Sequence, residues 1–255
     1  DKISRRPNGI FLVTGPTGSG KSTSLYSFLH EVNTMDVRIL TAEDPIEYQM
    51  DGIIQVQMNK DIGLDFARTL RAFLRQDPDK IKVGEIRDRE TAEIAINASL
   101  TGHMVFSTLH TNTAAGAFPR MIDMGVEPFL IASAVAGVMG QRLCRRLCPT
   151  CRREVPLDRK WYDLDAPPAR DTVFEPAEGG CDACSRTGYK GRRALFEVLE
   201  VDEDIESAII KRENATQIQH ISLSKGMKTL REDGWAKVFK GVTSVAEIRR
   251  VTEDQ

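Results

Sequence analysis

Gly15-Pro16-Thr17-Gly18-Ser19-Gly20-Lys21-Ser22, followed by Thr23, has the residue types and spacing of a phosphate cradle, G-x-x-x-x-G-K-[ST]. Glycines let the backbone turn so that several N–H groups converge on the same phosphate oxygens, and the helix that follows adds its positive end. Lys21 would meet the β and γ phosphates of a nucleotide as a point charge, and the Ser22 hydroxyl would ligate Mg2+. Such a site also needs acids for the metal and for the attacking water. Two segments offer them: Thr41-Ala42-Glu43-Asp44-Pro45-Ile46-Glu47 and Val83-Gly84-Glu85-Ile86-Arg87-Asp88. In the second, Glu85 is the residue to position or deprotonate the water.

A separate constellation points to a metal. Cys148, Cys151, Cys181 and Cys184 form C-x2-C-x29-C-x2-C, two knuckles able to close a tetrahedral thiolate site. The favoured ion is Zn2+, which accepts four thiolates without redox chemistry and then has no open position for water, so its role is structural. Cys144, the fifth cysteine, reads as a core residue rather than a ligand. Arg192 and Arg193 make a small basic cluster after Gly188-Tyr189-Lys190-Gly191.

These residues need elements to hold them. Apolar runs of strand length alternate with helical patterns: Ile10 to Val13, then a helix over Ser22 to Val32, then a strand over Val37 to Leu40. Further strands are predicted at Ile53 to Met58, Ile81 to Ile86 and Met104 to Thr108. Helices are predicted over Phe66 to Arg75 and over Thr91 to Leu100, the latter closing at Gly102. Strand, helix, strand repeated in this way gives an α/β fold with a mostly parallel sheet covered on both faces. Carboxylates just after such strands lie where ligands bind in open sheets. Beyond Leu143, a stretch with Pro156, Pro167, Pro168, Pro176, Gly179 and Gly180 reads as irregular and in need of a staple. From Ala194 the pattern turns helical, with Asp202 ahead of Ile205, Ala208 and Ile209, and with Ser244 and Glu247 as a capping box ahead of Ile248 and Val251.

The expected domains are therefore 1–143, a P-loop core; 144–193, a tetracysteine module; and 194–255, a helical region. A chain of 255 residues with 41% hydrophobic and 28% charged side chains is expected to fold with a substantial core. Its net charge of -2 argues against bulk nucleic-acid binding. It carries no apolar run long enough to span a bilayer and no signal-peptide core over Asp1 to Arg6, which reads as cytosolic. The cysteine pairs suit a reducing compartment. Starting without Met and entering a strand within ten residues, the chain reads as a piece of a longer protein.

In this order, GPTGSGKST, TAEDPIEY, LRQDPD, VGEIRDRETAEIA, LTGHMVFSTLHTNTAAGA and DMGVEPFLIAS resemble the secretion ATPase superfamily of type II secretion and type IV pilus assembly, over nearly the whole chain. His110-Thr111-Asn112-Thr113 and the stretch from Leu230-Arg231-Glu232-Asp233-Gly234 to Val251-Thr252 are most similar to the type II secretion branch. The resemblance implies a RecA-like fold and hydrolysis of ATP with Mg2+. It matches Lys21 and Ser22 to the Walker A residues, Glu43, Asp44 and Glu47 to the aspartate box, and Glu85 to the catalytic Walker B glutamate. It matches His103 and His110 to a histidine box that senses the γ-phosphate and the neighbouring subunit, and Arg68, Arg71 and Arg75 to a basic helix. For those three arginines a solvated helix face is an equally good account.

Implied partners are further copies of the chain in a hexameric ring, an inner-membrane platform protein and an N-terminal-domain adaptor, at the cytoplasmic face of the inner membrane. The load would be pseudopilin subunits, or pilins for a pilus extension motor. A nucleic-acid-dependent RecA-like motor and a non-catalytic binding module are the rival readings; the charge balance and the presence of Glu85 disfavour them. One departure from the family pattern stands out. The strand before Glu85 contains Lys80 and Lys82 where relatives have apolar residues, although a strand covered on both faces should not alternate with lysines. Two accounts are open: the lysines snorkel past a sheet edge, or the packing beneath the catalytic strand has changed, with lower stability or a weaker site.

Overall fold

The computed structural model describes residues 6–162, 164 and 168–253; residues 1–5 of the N-terminal segment and Pro167, both read above, lie outside the described residues. In chain order the elements are β1 (Gly9–Thr14), α1 (Lys21–Val32), β2 (Ile39–Glu43), β3 (Ile53–Gln57), α2 (Phe66–Phe73), β4 (Lys80–Val83), α3 (Arg89–Leu100), β5 (Met104–Leu109), α4 (Ala117–Asp123), α5 (Pro128–Ala134), β6 (Val135–Leu147), β7 (Arg153–Pro156), β8 (Thr172–Glu175), β9 (Tyr189–Glu200), α6 (Glu203–Ile210), α7 (Ala215–Ser224), α8 (Leu230–Phe239) and α9 (Val245–Thr252). None of the described helices is long and apolar enough to cross a membrane.

The main sheet has the order β3-β2-β4-β5-β1-β6-β9. Pairings β1 with β5, β1 with β6, β2 with β3, β2 with β4 and β4 with β5 are all parallel. In β1, Ile10 and Leu12 enter one core layer while Phe11 and Val13 enter another against Leu25, Tyr26 and Leu29 of α1. Burial on both faces is why this strand is a continuous apolar run. Side-chain caps start α2 and α3. Asp65 accepts from Arg68 N at 2.8 Å and Asp88 from Thr91 N at 2.8 Å, each satisfying a free amide of a first turn.

The chain divides into two compact units, Asp1–Gly140 with Val198–Met227, and Gln141–Glu197 with Lys228–Gln255. The division falls inside β6 and β9, and it splits the expected helical region. Ile205, Ala208, Ile209 and Ile218 of α6 and α7 share the core of Ile10, Leu12 and Ala95, so these helices complete the first unit. Trp235, Val238 and Ile248 of α8 and α9 pack with Cys144, Leu157 and Val173 in the second.

Two expectations for the second half need correction. Ala194 to Glu200 belongs to strand β9, not to a helix: buried Leu195, Glu197 and Leu199 alternate with exposed Phe196 and Val198, a period of two. The stretch expected to be irregular contains an antiparallel pair, β7 with β8, in register from Arg153 opposite Glu175 to Pro156 opposite Thr172.

Candidate active site and metal centre

Between β1 and α1 the cradle turns through Gly15, Gly18 and Gly20 with φ of 143°, 78° and 86°, values that a side chain disfavours. Gly20 stands at the helix N-cap and offers no side-chain acceptor, and no acid occupies the first turn, so the leading amides of α1 are left for an external anion. Lys21 Nζ donates to the carbonyls of Gly15 at 2.7 Å and Pro16 at 3.1 Å. Burial lowers its pKa below that of an ordinary lysine, and the charge of Glu85 opposes that shift. Ser22 is half-buried, Thr23 is exposed, and the backbone of Ser19 closes the turn on Pro16 O at 3.2 Å.

Strand register decides which other residues reach this loop. β1 and β5 run parallel from Gly9 opposite Met104 to Thr14 opposite Leu109, so His110 emerges level with Gly15. Lys82 opposite Phe106, with Thr108 Oγ1 donating to Gly84 O at 2.9 Å, brings Glu85 to the same end. Asp44 and Glu47 follow β2 at that end and are exposed. Glu85 is ion-paired with Arg87, and His110 Nε2 lies 3.5 Å from its other oxygen. The cradle, Glu85, His110 and the exposed carboxylates of Asp44 and Glu47 are thus gathered at the carboxyl ends of adjacent parallel strands.

His103 is not. It precedes β5, about 20 Å from His110 along six residues of strand, and its Nδ1 sits 2.9 Å from Ala98 O, closing the end of α3. Arg68, Arg71 and Arg75 bind locally to Gly63 O, to Glu90 and to Arg71 O, which is the behaviour of a solvated helix face.

A model of the type II/IV secretion system protein family matches residues 1–250. The chain belongs to this family. It is 49% identical over 255 residues to type II secretion system protein E of Dickeya dadantii, covering 100% of this chain and 51% of that relative. It is 52% identical over 249 residues to the type IV pilus assembly ATPase PilB of Thermus thermophilus, covering 97% of this chain and 28% of that one. Among solved structures, the pilus retraction motor PilT with bound ADP is similar at a TM-score of 0.71 and 29% identity, over 98% of this chain and 62% of that chain. The chain spans about half the length of the type II secretion relatives it matches.

Glu43, read from sequence as a direct participant, occupies a different place in this secretion-family chain. It is 1% exposed. One carboxylate oxygen accepts from Thr41 Oγ1 at 2.7 Å and Gln55 Nε2 at 3.0 Å, and the other from the Tyr26 hydroxyl and Lys82 Nζ. β4 is an interior strand between β2 and β5, so its lysines pass no edge. Lys82 is buried against Glu43 with its ammonium 4.6 Å from the Tyr26 ring centre, and Lys80 donates to Arg6 O at 2.7 Å. The unusual packing is a matched pair of charges. Sequence reasoning missed Tyr26, Thr41 and Gln55; only the anomalous Lys82 signalled that an acid had to lie beside it.

The second unit of this family member holds the four cysteines together. Their sulfurs all lie within 4.8 Å of one another. Separations are 3.8 Å for Cys148–Cys181, 3.9 Å for Cys151–Cys184 and 3.8 Å for Cys181–Cys184. Four thiolates at the usual zinc–sulfur distance have sulfurs roughly 3.8 Å apart, so the set fits a tetrahedral ion. Amides of Cys181 and Gly188 donate to Cys184 Sγ at 3.2 Å each, and such bonds, with that of Cys181 foremost, pull its thiol down to about 6. Cys144 stands apart, donating to Arg193 O at 3.3 Å within the core.

Proposed function

We propose that this chain is the hydrolytic domain of a type II secretion motor, which splits ATP to power pseudopilus assembly at the inner membrane. The observation that carries this reading is the meeting of the Gly15–Ser22 cradle, Glu85 and His110 at one end of a parallel sheet, in a chain so similar to type II secretion system protein E. Cradle amides and Lys21 bind the phosphates, with Pro16, Thr17, Ser19 and Thr23 lining the turn. Ser22, with Asp44 and Glu47 beyond it, would hold Mg2+, which offsets phosphate charge. Glu85 directs a water in line onto the γ-phosphorus. As that P–O bond forms, the β–γ bridging P–O bond breaks and ADP leaves, while the water proton passes toward the carboxylate. Arg87 and His110, on either side of Glu85, fix its direction.

Cys148, Cys151, Cys181 and Cys184 hold Zn2+ as a closed structural site that fastens the second unit. The working form is a hexameric ring of the longer protein, cytoplasmic and peripheral to the inner membrane, docked on a platform protein and an adaptor, with no nucleic-acid partner. Glu85→Gln in the full-length protein tests the chemistry. Nucleotide affinity is expected to persist while turnover disappears; retained turnover places the base elsewhere. A type IV pilus extension motor is the second reading, favoured by the 52% identity to PilB. Co-purification with the platform protein of one system rather than the other decides between them.

A further inference from the structure

The nucleotide reading leaves a charged cluster inside the sheet unexplained. Lys82 projects from β4 toward α1 and lies in one row with Thr41 of β2 and Gln55 of β3. Glu43, two residues beyond Thr41, takes four donors from this row and from α1: Thr41, Gln55, Lys82 and Tyr26. The Tyr26 hydroxyl in turn accepts from the Glu47 amide at 3.2 Å, and its ring packs on Tyr48 with centres 4.3 Å apart. Glu43 is therefore joined to three elements. β4 runs on to Glu85, α1 begins with Lys21 and Ser22, and Glu47 belongs to the exposed acidic loop. Each element carries a different group of the proposed reaction.

We propose that Lys82, Glu43 and Tyr26 act together as a positioning cluster, fixing the Glu85 strand, the cradle helix and the 44–47 loop in the mutual placement that hydrolysis requires. The inference rests on the ATP-hydrolysing reading of the site. It also reassigns Glu43, whose saturated and buried carboxylate acts through its neighbours. A carboxylate and an ammonium this deep in a sheet are stable only as a hydrogen-bonded pair, because either alone is an uncompensated buried charge. Burial lowers the pKa of Lys82 while Glu43 opposes that shift, and the Lys82 charge keeps Glu43 below the ordinary carboxylate value against its own burial. Main-chain amides of the cradle are untouched by the cluster, so its loss should misalign the reacting groups more than it weakens binding. A displacement on the ångström scale suffices to slow chemistry by about a hundredfold.

The test compares Lys82→Met, Lys82→Met/Glu43→Gln and Tyr26→Phe in the full-length protein. Steady-state ATPase activity, affinity for a fluorescent ATP analogue and Tm are read for each. Lys82→Met is expected to lose Tm and to lower kcat by about ten- to a hundredfold with KM within about twofold. The double variant, with both charges gone, should regain most of the Tm but not the kcat. Tyr26→Phe removes only the hydroxyl, so it keeps the proposal falsifiable if Lys82→Met does not fold; its kcat should fall with little change in Tm. Wild-type kcat in Tyr26→Phe, or a kcat that recovers alongside Tm in the double variant, would overturn the proposal by reducing the cluster to packing. A parent protein that takes up no nucleotide would overturn the reading of the site itself, and this inference with it.

Discussion

His110 Nε2 and Glu85 Oε2 face each other across 3.5 Å from the ends of two adjacent parallel strands. His110 is half-exposed while Glu85 is largely covered, so the histidine is the member of the pair more open to solvent. His110→Gln is expected to keep nucleotide affinity and lower kcat by about ten- to a hundredfold, checked by comparing turnover with nucleotide titration. His103→Gln, at the other end of β5, should leave kcat within about twofold of the parent. An equal loss of kcat in both variants would contradict the separation that the strand register imposes.

The cysteine cluster predicts one tightly held Zn2+ per chain, released stoichiometrically when the thiolates are modified and measured with a chromogenic chelator. Cys184→Ser removes one of the four thiols and should abolish that release. It should also lower the melting transition of the second unit by several degrees, since the binding energy of a structural ion is folding energy. Metal-free protein with an unchanged transition would argue that the four sulfurs are held by packing alone.

Glu247 gives a pH dependence whose sign follows from its surroundings. Burial would raise its pKa, but the guanidiniums of Arg250 and Arg145 outweigh burial and hold the carboxyl at about 2, against 4.5 for an ordinary glutamate. Its stabilisation is complete above pH 4.5 and is lost as the pH falls from there toward 2. Allowing for screening around the half-exposed arginines, the contribution is about 2 kcal/mol. Thermal melts between pH 6 and pH 3 should show a steeper loss for the parent protein than for Glu247→Gln, which starts lower.

Gly234 lies inside α8, where a Cβ would come within 2.7 Å of Ile248 Cγ2 and 3.0 Å of Ile248 Cδ1. Ile248 is β-branched and buried, so it has little freedom to withdraw. Gly234→Ala therefore exchanges a gain in helix propensity for overpacking between α8 and α9. A net loss of about 1–3 kcal/mol in denaturant unfolding is expected.

The parallel core was legible because β1 and β5 are covered on both faces and carry apolar runs, Ile10 to Val13 and Met104 to Phe106. The cradle was legible because its function resides in backbone geometry that only a few residue types permit. β9 was not: in Leu195-Phe196-Glu197-Val198-Leu199 the exposed positions are as apolar as the buried ones, so composition hides the period of two. The helical tail could not be divided from sequence, because α6 and α8 look alike locally and are sorted only by the distant core each one joins. The burial of Glu43 was hidden for the same reason. Its position after a strand matched an exposed acid, and the lysine that draws it inward is 39 residues away.

Lys80 and Lys82 also bear on how the sheet assembles. On β4 they alternate with Ile81 and Val83, which enter the layer of Ile10, Leu12 and Leu40 on the opposite side. Were this strand to slip by a single residue, two ammonium groups would be driven into hydrocarbon and two aliphatic side chains set against a carboxylate. A pair of cations that looked like a flaw in a central strand thus works as a proofreading mark, disfavouring any one-residue slip of β4 before the domain closes.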